Sequence, residues 1–246
     1  MHSFLTPWWL CTAALLFAPF LGAQEGTLTS FVAAEDAVLL NEGVRVSFFF
    51  LPEGTPEAAD TSSAPAHGTS MHHLRGERGQ HEGRDLYLQV APAGSDNPSP
   101  ALGIGYDTTL SATYEIIATG EPISKHWLKP GAVLGLHHVH LKLETDQQEF
   151  EKFIRTMWAP TRSDALPDSK FIFLKGVSGA RSGEFSYLWL IEDEETRDYY
   201  FPQSGEASTL YSDFEKGWSW IDDADHLGKY VDPEPGDVFT DYVVVR

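Results

Sequence analysis

Between Lys170 and Asp193 the chain reads KFIFLKGVSGARSGEFSYLWLIED, two apolar runs on either side of a glycine-punctuated turn. Runs of this length rich in Phe, Ile, Leu, Tyr and Trp read as strands, and the turn from Gly179 to Gly183 makes them a hairpin. In the second run Phe185, Tyr187, Trp189 and Ile191 alternate onto one face, and Ser186, Leu188 and Leu190 onto the other. Both faces are apolar, so either could be the core face, and whatever sheet contains this hairpin needs cover on both sides.

The flanking segments say what the cover is. LHHVHLKLE, from Leu136, alternates as a strand, and TDQQEFEKFIRTMW, from Thr145, reads as a helix ended by Ala159-Pro160. Thr145 or Asp146 can cap that helix, and Phe150, Phe153, Ile154 and Met157 form one buried stripe. After the hairpin, STLYSDFEKGWSWI reads as a second helix with Leu210, Phe214, Trp218 and Ile221 on one face, and DVFTDYVVVR as a last strand. The order strand, helix, strand, strand, helix, strand over 133–246 predicts a ferredoxin-like α+β domain, an antiparallel sheet with two helices on one face. Its other face is expected to be buried by a partner or by another domain.

The first half is less regular. SFVAAEDAVLL and VRVSFFF flank an Asn41-Glu42-Gly43 turn, and LYLQVAP and LGIGYDTTLSATYEIIATG suggest further strands, so residues 24–125 read as a β-rich region. Residues 52–82 are rich in Pro, Gly, Ser and charge and read as a long loop. No internal repeat stands out. From Phe4 to Ala23 there is no charged side chain, and the run exits through Gly22 and Ala23, so residues 1–23 read as a signal peptide. That predicts export to a periplasmic or extracellular location, with a retained anchor as the alternative and no stable membrane span after cleavage. Cys11 is the only cysteine, so the mature chain has no disulfide, thiolate metal site or cysteine nucleophile. A formal net charge of −19 excludes nucleic acid and anionic lipid as main partners.

HHVHLKL, the helix ending MWAP, FIFLKG, YLWLIEDEETRDYYFP and the terminal TDYVVVR together resemble the dimeric α+β-barrel superfamily, whose best-known members are the antibiotic biosynthesis monooxygenases. The resemblance covers about residues 133–246 and rests on element order and strand character. It implies a homodimer closed through the open sheet faces. The superfamily includes cofactor-independent oxygenases, haem-degrading enzymes and haem peroxidases, so fold alone does not assign an activity. Haem-degrading relatives are expected to carry an Asn, Trp and His trio. Here Trp189 and histidines are present, but no Asn occurs between 98 and 246.

The candidate chemistry centres on His137, His138 and His140. Alternation puts His138, His140 and Lys142 on one face, expected to look toward the open side of the sheet, and His137, Val139, Leu141 and Leu143 on the helix side. His138 and His140 could serve as base or ligand in a pocket walled by Lys142, Tyr187 and Trp189. A transition metal or haem could be held there, with Glu144, Asp241, His126 or a histidine of the Met71-His72-His73 run as further ligand; equally, the histidines could carry no cofactor. His67, His72, His73 and His81 form a second group that could bind a metal loosely, and Glu192–Asp198 lacks the spacing of a calcium loop. Two functions stay open: an exported non-catalytic small-molecule-binding or assembly protein, and an oxygenase-like enzyme acting on a small organic or haem-type substrate.

Overall fold

The computed structural model describes residues 40–55, 68–92, 94–95, 105–162, 166, 168–203, 206, 208–217, 227–236 and 238–246, without the side chains of 162, 214, 215 and 217. All lie within the compact unit Asp36–Arg246. The signal-peptide reading of residues 1–23 therefore falls outside the described residues, as do His67 and the second helix's Trp218 and Ile221.

The strands are β1 (Arg45–Phe50), β2 (Ser70–Gly79), β3 (Asp85–Ala91), β4 (Ala112–Thr119), β5 (Val133–Val139), β6 (Ser169–Gly179), β7 (Phe185–Ile191) and β8 (Val238–Val244). They form one closed antiparallel barrel in the order β1-β3-β2-β8-β5-β7-β6-β4, with β4 returning to β1. This corrects the expected ferredoxin-like α+β domain. Residues 133–246 do not make a separate four-stranded sheet with an open face; β8 bonds to β2, and β6 bonds to β4. The face expected to await a partner is covered by the first half of the same chain. Residues 70–79, read as loop from their composition, form β2. Their polar and charged side chains obscured a strand whose Leu74 and Gly76 face the apolar barrel interior.

Every strand contributes alternate residues to the interior. Val46, Phe48 and Phe50 of β1, Leu86 and Leu88 of β3, and Leu134 and Leu136 of β5 are buried there, with Tyr114 and Tyr242 among the largest fully buried side chains. The interior is a packed core and not a channel. A second apolar cluster lies outside the barrel, over β5, β6 and β7. There Phe150, Ile154 and Trp158 pack on Phe171, Phe173 and Phe185. This explains why the β6–β7 hairpin is apolar on both faces.

The covering helix begins as α1 (Gln147–Phe153), capped by Asp146, whose Oδ1 accepts from Gln148 N at 2.8 Å and Glu149 N at 3.0 Å. It does not end at Ala159-Pro160. It widens into a π-turn over Ile154–Trp158, with Ala159 N donating to Ile154 O, and continues as α2 (Ala159–Arg162). The wider turn accommodates the proline's missing donor. Two further helices, α3 (Glu194–Tyr200) and α4 (Thr209–Gly217), lie between β7 and β8. Leu210, expected on a buried stripe, is exposed.

The two halves repeat one plan. The order β4-β1-β3-β2 in the first recurs as β8-β5-β7-β6 in the second. The β2–β3 and β6–β7 hairpins share the spacing G-x-x-G-x-x-x-G, at Gly76, Gly79 and Gly83 and at Gly176, Gly179 and Gly183. The turns hydrogen-bond alike: Gly83 N donates to Gly76 O, and Gly183 N to Gly176 O, both at 2.8 Å. A Cβ on Gly76 would lie 2.0 Å from His81 O, and one on Gly176 would lie 1.8 Å from Arg181 O. The spacing is thus a steric requirement of the turn. It passes unnoticed in sequence because little around the glycines is shared.

Candidate functional site

Strand registers place two rows of side chains side by side on the outer face of the second half. Gly135 pairs with Trp189 on β7 and with Asp241 on β8. One step along, His137 pairs with Tyr187 and Phe239. Arg78 of β2 extends the first row beyond Asp241. Glycine at 135 leaves a hollow. A Cβ there would sit 3.1 Å from Asp241 Oδ1, 3.4 Å from His137 Nε2 and 3.7 Å from Trp189 Cβ. The hollow floors a cleft of about 800 Å³, whose further walls include Phe201, Tyr211 and Ile191.

The aromatic rings are mutually fixed. His137 is stacked between Tyr187, at 4.5 Å with an interplanar angle of 7°, and Phe239, at 5.3 Å and 17°. Trp189 and Tyr211 both pack on Phe201, at 6.2 and 4.7 Å. Phe201 is held in turn by its carbonyl, which accepts from Arg78 Nη1 at 3.0 Å. Arg78 also pairs with Asp198, and the buried Arg197 donates from Nε to the same Asp198 oxygen at 2.8 Å.

Asp241 is the chemically distinctive group. It is 9% exposed, it accepts no side-chain hydrogen bond from the described residues, and its oxygens open onto the cleft instead of being sealed in the core. Burial pushes its carboxyl above the ordinary aspartate value, against the opposing fields of Arg197, His137 and Arg78. Glu77, Glu82 and Glu206 also line the cleft, so its lining is acidic, with Arg78 as the cation among the described residues.

The expected site residues separate. Tyr187 and Trp189 line this outer cleft. His138 points the other way, into the barrel end, where its Nδ1 is 3.0 Å from Ser186 Oγ. His140 lies beyond the end of β5, and its buried Nε2 has no partner among the described residues. Lys142 Nζ donates to the carbonyls of Gly228 and Lys229, at 2.7 and 3.3 Å, away from the cleft. The histidine that joins Tyr187 and Trp189 is His137, which alternation had placed with the helix-side set. From the sequence, Asp241 is a candidate only as a further metal ligand. Its position beside Gly135 is fixed by β8 pairing, which the sequence does not display.

Among the described residues no three His, Cys, Asp or Glu side chains come together as a metal site. His73 is instead buried against Asp85, with Nε2 to Oδ1 at 3.1 Å, and His72 sits 3.2 Å from Ser70 Oγ. Glu192–Asp198 supplies the α3 cap, Asp193, whose side chain accepts from Thr196 N. Among the described residues no helix is long and apolar enough to cross a membrane.

No family model matches the chain, and no curated protein matches it in sequence. Among solved structures, one that it resembles is a Lactobacillus acidophilus protein described as a candidate monooxygenase. The two are 10% identical, the alignment covers 84% of this chain and 95% of the other, and the TM-score is 0.46.

Proposed function

We propose that this protein binds a small, flat organic molecule that carries a cation or hydrogen-bond donor, in the outer cleft over Gly135. The observation that carries the reading is Asp241, a buried carboxylate that accepts no side-chain hydrogen bond from the described residues, at the floor of an aromatic-walled cleft. A carboxylate enclosed on every side but the cleft takes its donor from there, and a ligand N–H would supply one while the rings cover its faces. The acidic lining selects against anions. Export, with the charge-free run Phe4–Ala23 as leader, is part of the proposal.

A second reading has the same cleft act on its ligand. Asp241 and His137 flank the same hollow, and a carboxylate whose pKa burial has raised is a better proton acceptor than an exposed one. In that reading they take a proton from the bound molecule, the first step of an oxygenase-like reaction.

Calorimetry with tryptamine and indole-3-acetate, one ring system with opposite charges, tests the binding. Tryptamine is expected to bind at least about tenfold more tightly, as one charge-assisted hydrogen bond allows. Asp241→Asn should erase that preference. Equal affinities in the wild-type protein would refute the reading.

A further inference from the structure

A second cavity, of about 130 Å³, lies at one end of the barrel, on the opposite side of the sheet from the Gly135 cleft. It is roofed by the two equivalent hairpin turns, which bring Gln80 and His81 from one and Ala180 and Arg181 from the other. Its base is Phe48, Phe50 and Leu136. Among the described residues its lining contains no carboxylate, in a chain with 36 acidic residues and 17 basic ones. Arg181 Nη1 is 3.0 Å from Glu184 Oε2, which leaves the rest of the guanidinium for the cavity.

The polar groups here break the repeat of the barrel. By register, Phe50 and Leu86 in the first half occupy the places of His138 and Ser186 in the second. One half fills the place with an apolar pair, and the other with an imidazole and a hydroxyl. Ser186 also lies within hydrogen-bond reach of the Tyr114 hydroxyl, so it joins Tyr114 to His138. Tyr242 is fully buried, and among the described residues the Thr240 side chain lies within hydrogen-bond reach of its hydroxyl, though no bond of full geometry forms.

We propose that the barrel mouth is a binding site for a small monocarboxylate with a short apolar tail, its carboxylate held by Arg181 and His81 and its tail resting on Phe48, Phe50 and Leu136. A guanidinium beside neutral hydrogen-bonding groups suits a carboxylate, and the apolar base distinguishes this site from one for a fully hydrated oxyanion. Burial first, and then the field of Arg181, hold His138 well below the ordinary histidine value, with His81 lowered in the same way by burial, Arg84 and Arg181. Both imidazoles are therefore neutral near pH 7, and a bound carboxylate should raise their pKa values.

The test is a nuclear magnetic resonance titration of the full chain with butyrate, following the His81 and His138 ring signals. Butylamine and inorganic phosphate serve as matched probes. Saturable shifts with butyrate, none with butylamine and weaker ones with phosphate are expected. Arg181→Gln, at an exposed hairpin tip, should weaken butyrate binding about tenfold. Gly135→Leu, which fills the outer cleft, should leave it unchanged. No saturable shift with butyrate, equal binding by butylamine, or unaltered affinity in Arg181→Gln would each overturn the proposal.

Discussion

His138 should make the protein lose stability in mild acid, by an amount the structure sets. Its pKa in the fold is lowered from 6.5 to about 3, by burial first and then by Arg181, His81, His140 and His137. Between those values the unfolded chain binds one more proton than the folded one, so stability falls as pH falls. From neutral pH to about pH 5 the expected loss is about 2 kcal/mol, and it grows by roughly 1.4 kcal/mol for each further unit until the folded pKa is reached. His72 and His81, also lowered, act in the same direction. Asp241, whose pKa is raised, acts in the opposite one, because its burial costs least when it is protonated. The His138 share is therefore read by difference. His138→Gln keeps a partner for Ser186 and cannot titrate. Urea unfolding of both proteins near pH 7.5, 6 and 5 should show parallel slopes but a gap that closes or reverses by about 2 kcal/mol at the lowest pH. If the gap stays constant across that range, the imidazole is not desolvated as described and the account of the barrel mouth is wrong.

Gly135→Ala should reduce tryptamine affinity by about tenfold or more while shifting the unfolding midpoint little, since its Cβ meets only side-chain atoms across the hollow; calorimetry and thermal melts read the two effects separately. Gly176→Ala should cost more than about 3 kcal/mol in denaturant unfolding, because its Cβ would overlap the Arg181 carbonyl at 1.8 Å and the turn cannot yield without breaking the Gly183–Gly176 hydrogen bond. Arg197→Met removes the largest field opposing the rise in the Asp241 pKa, so a carboxyl-detected titration should find Asp241 ionising at higher pH than in the wild type. Expression in an exporting host should give a mature chain beginning at Gln24, which intact mass would show; an intact Phe4–Ala23 run would refute the leader reading.

What the sequence made legible follows from how local each determinant is. The hairpin 170–191, the Asp146 cap and the Phe150–Ile154 stripe were readable because alternation, capping and helical period act over a few residues. The barrel was not. Its closure depends on β2 pairing with β8 across more than 160 residues and on β4 pairing with β6, and neither edge carries a pairing code. β2 was hidden for a second reason. SMHHLRGERG has almost no apolar alternation, because His73 is buried on Asp85 and the half-buried Arg78 pairs with Asp198, polar pairs that composition scores as loop. The site was half legible for the same reason: Tyr187 and Trp189 were singled out from β7 alone, but their companion across the sheet depends on which face the barrel turns inward.

The repeat sharpens the functional reading, because each half acts as a reference for the other. On the outer face, the register puts Gln89, Ser47 and Thr113 of the first half where the second has Trp189, Gly135 and Asp241. In the first half Ser47 Oγ and Thr113 Oγ1 are 2.9 Å apart and satisfy each other. In the second, the serine's place is taken by a glycine, and the carboxylate opposite accepts no side-chain hydrogen bond from the described residues. Inside the barrel the direction is the same: an apolar Phe50–Leu86 pair in one half, a hydrogen-bonded His138–Ser186 pair in the other. At both places the first half is closed, by the Ser47–Thr113 pair outside, although the neighbouring Gln89 Oε1 is buried without a partner among the described residues, and by apolar side chains inside, while the second carries an opening lined by an ionisable group. Stability alone would favour the first arrangement twice. Restoring it tests the argument: Gly135→Ser with Asp241→Thr should stabilise the fold and abolish tryptamine binding together. If that variant were no more stable than the wild type, the open cleft would not be a strained departure from the repeat, and its claim to be the binding site would fail.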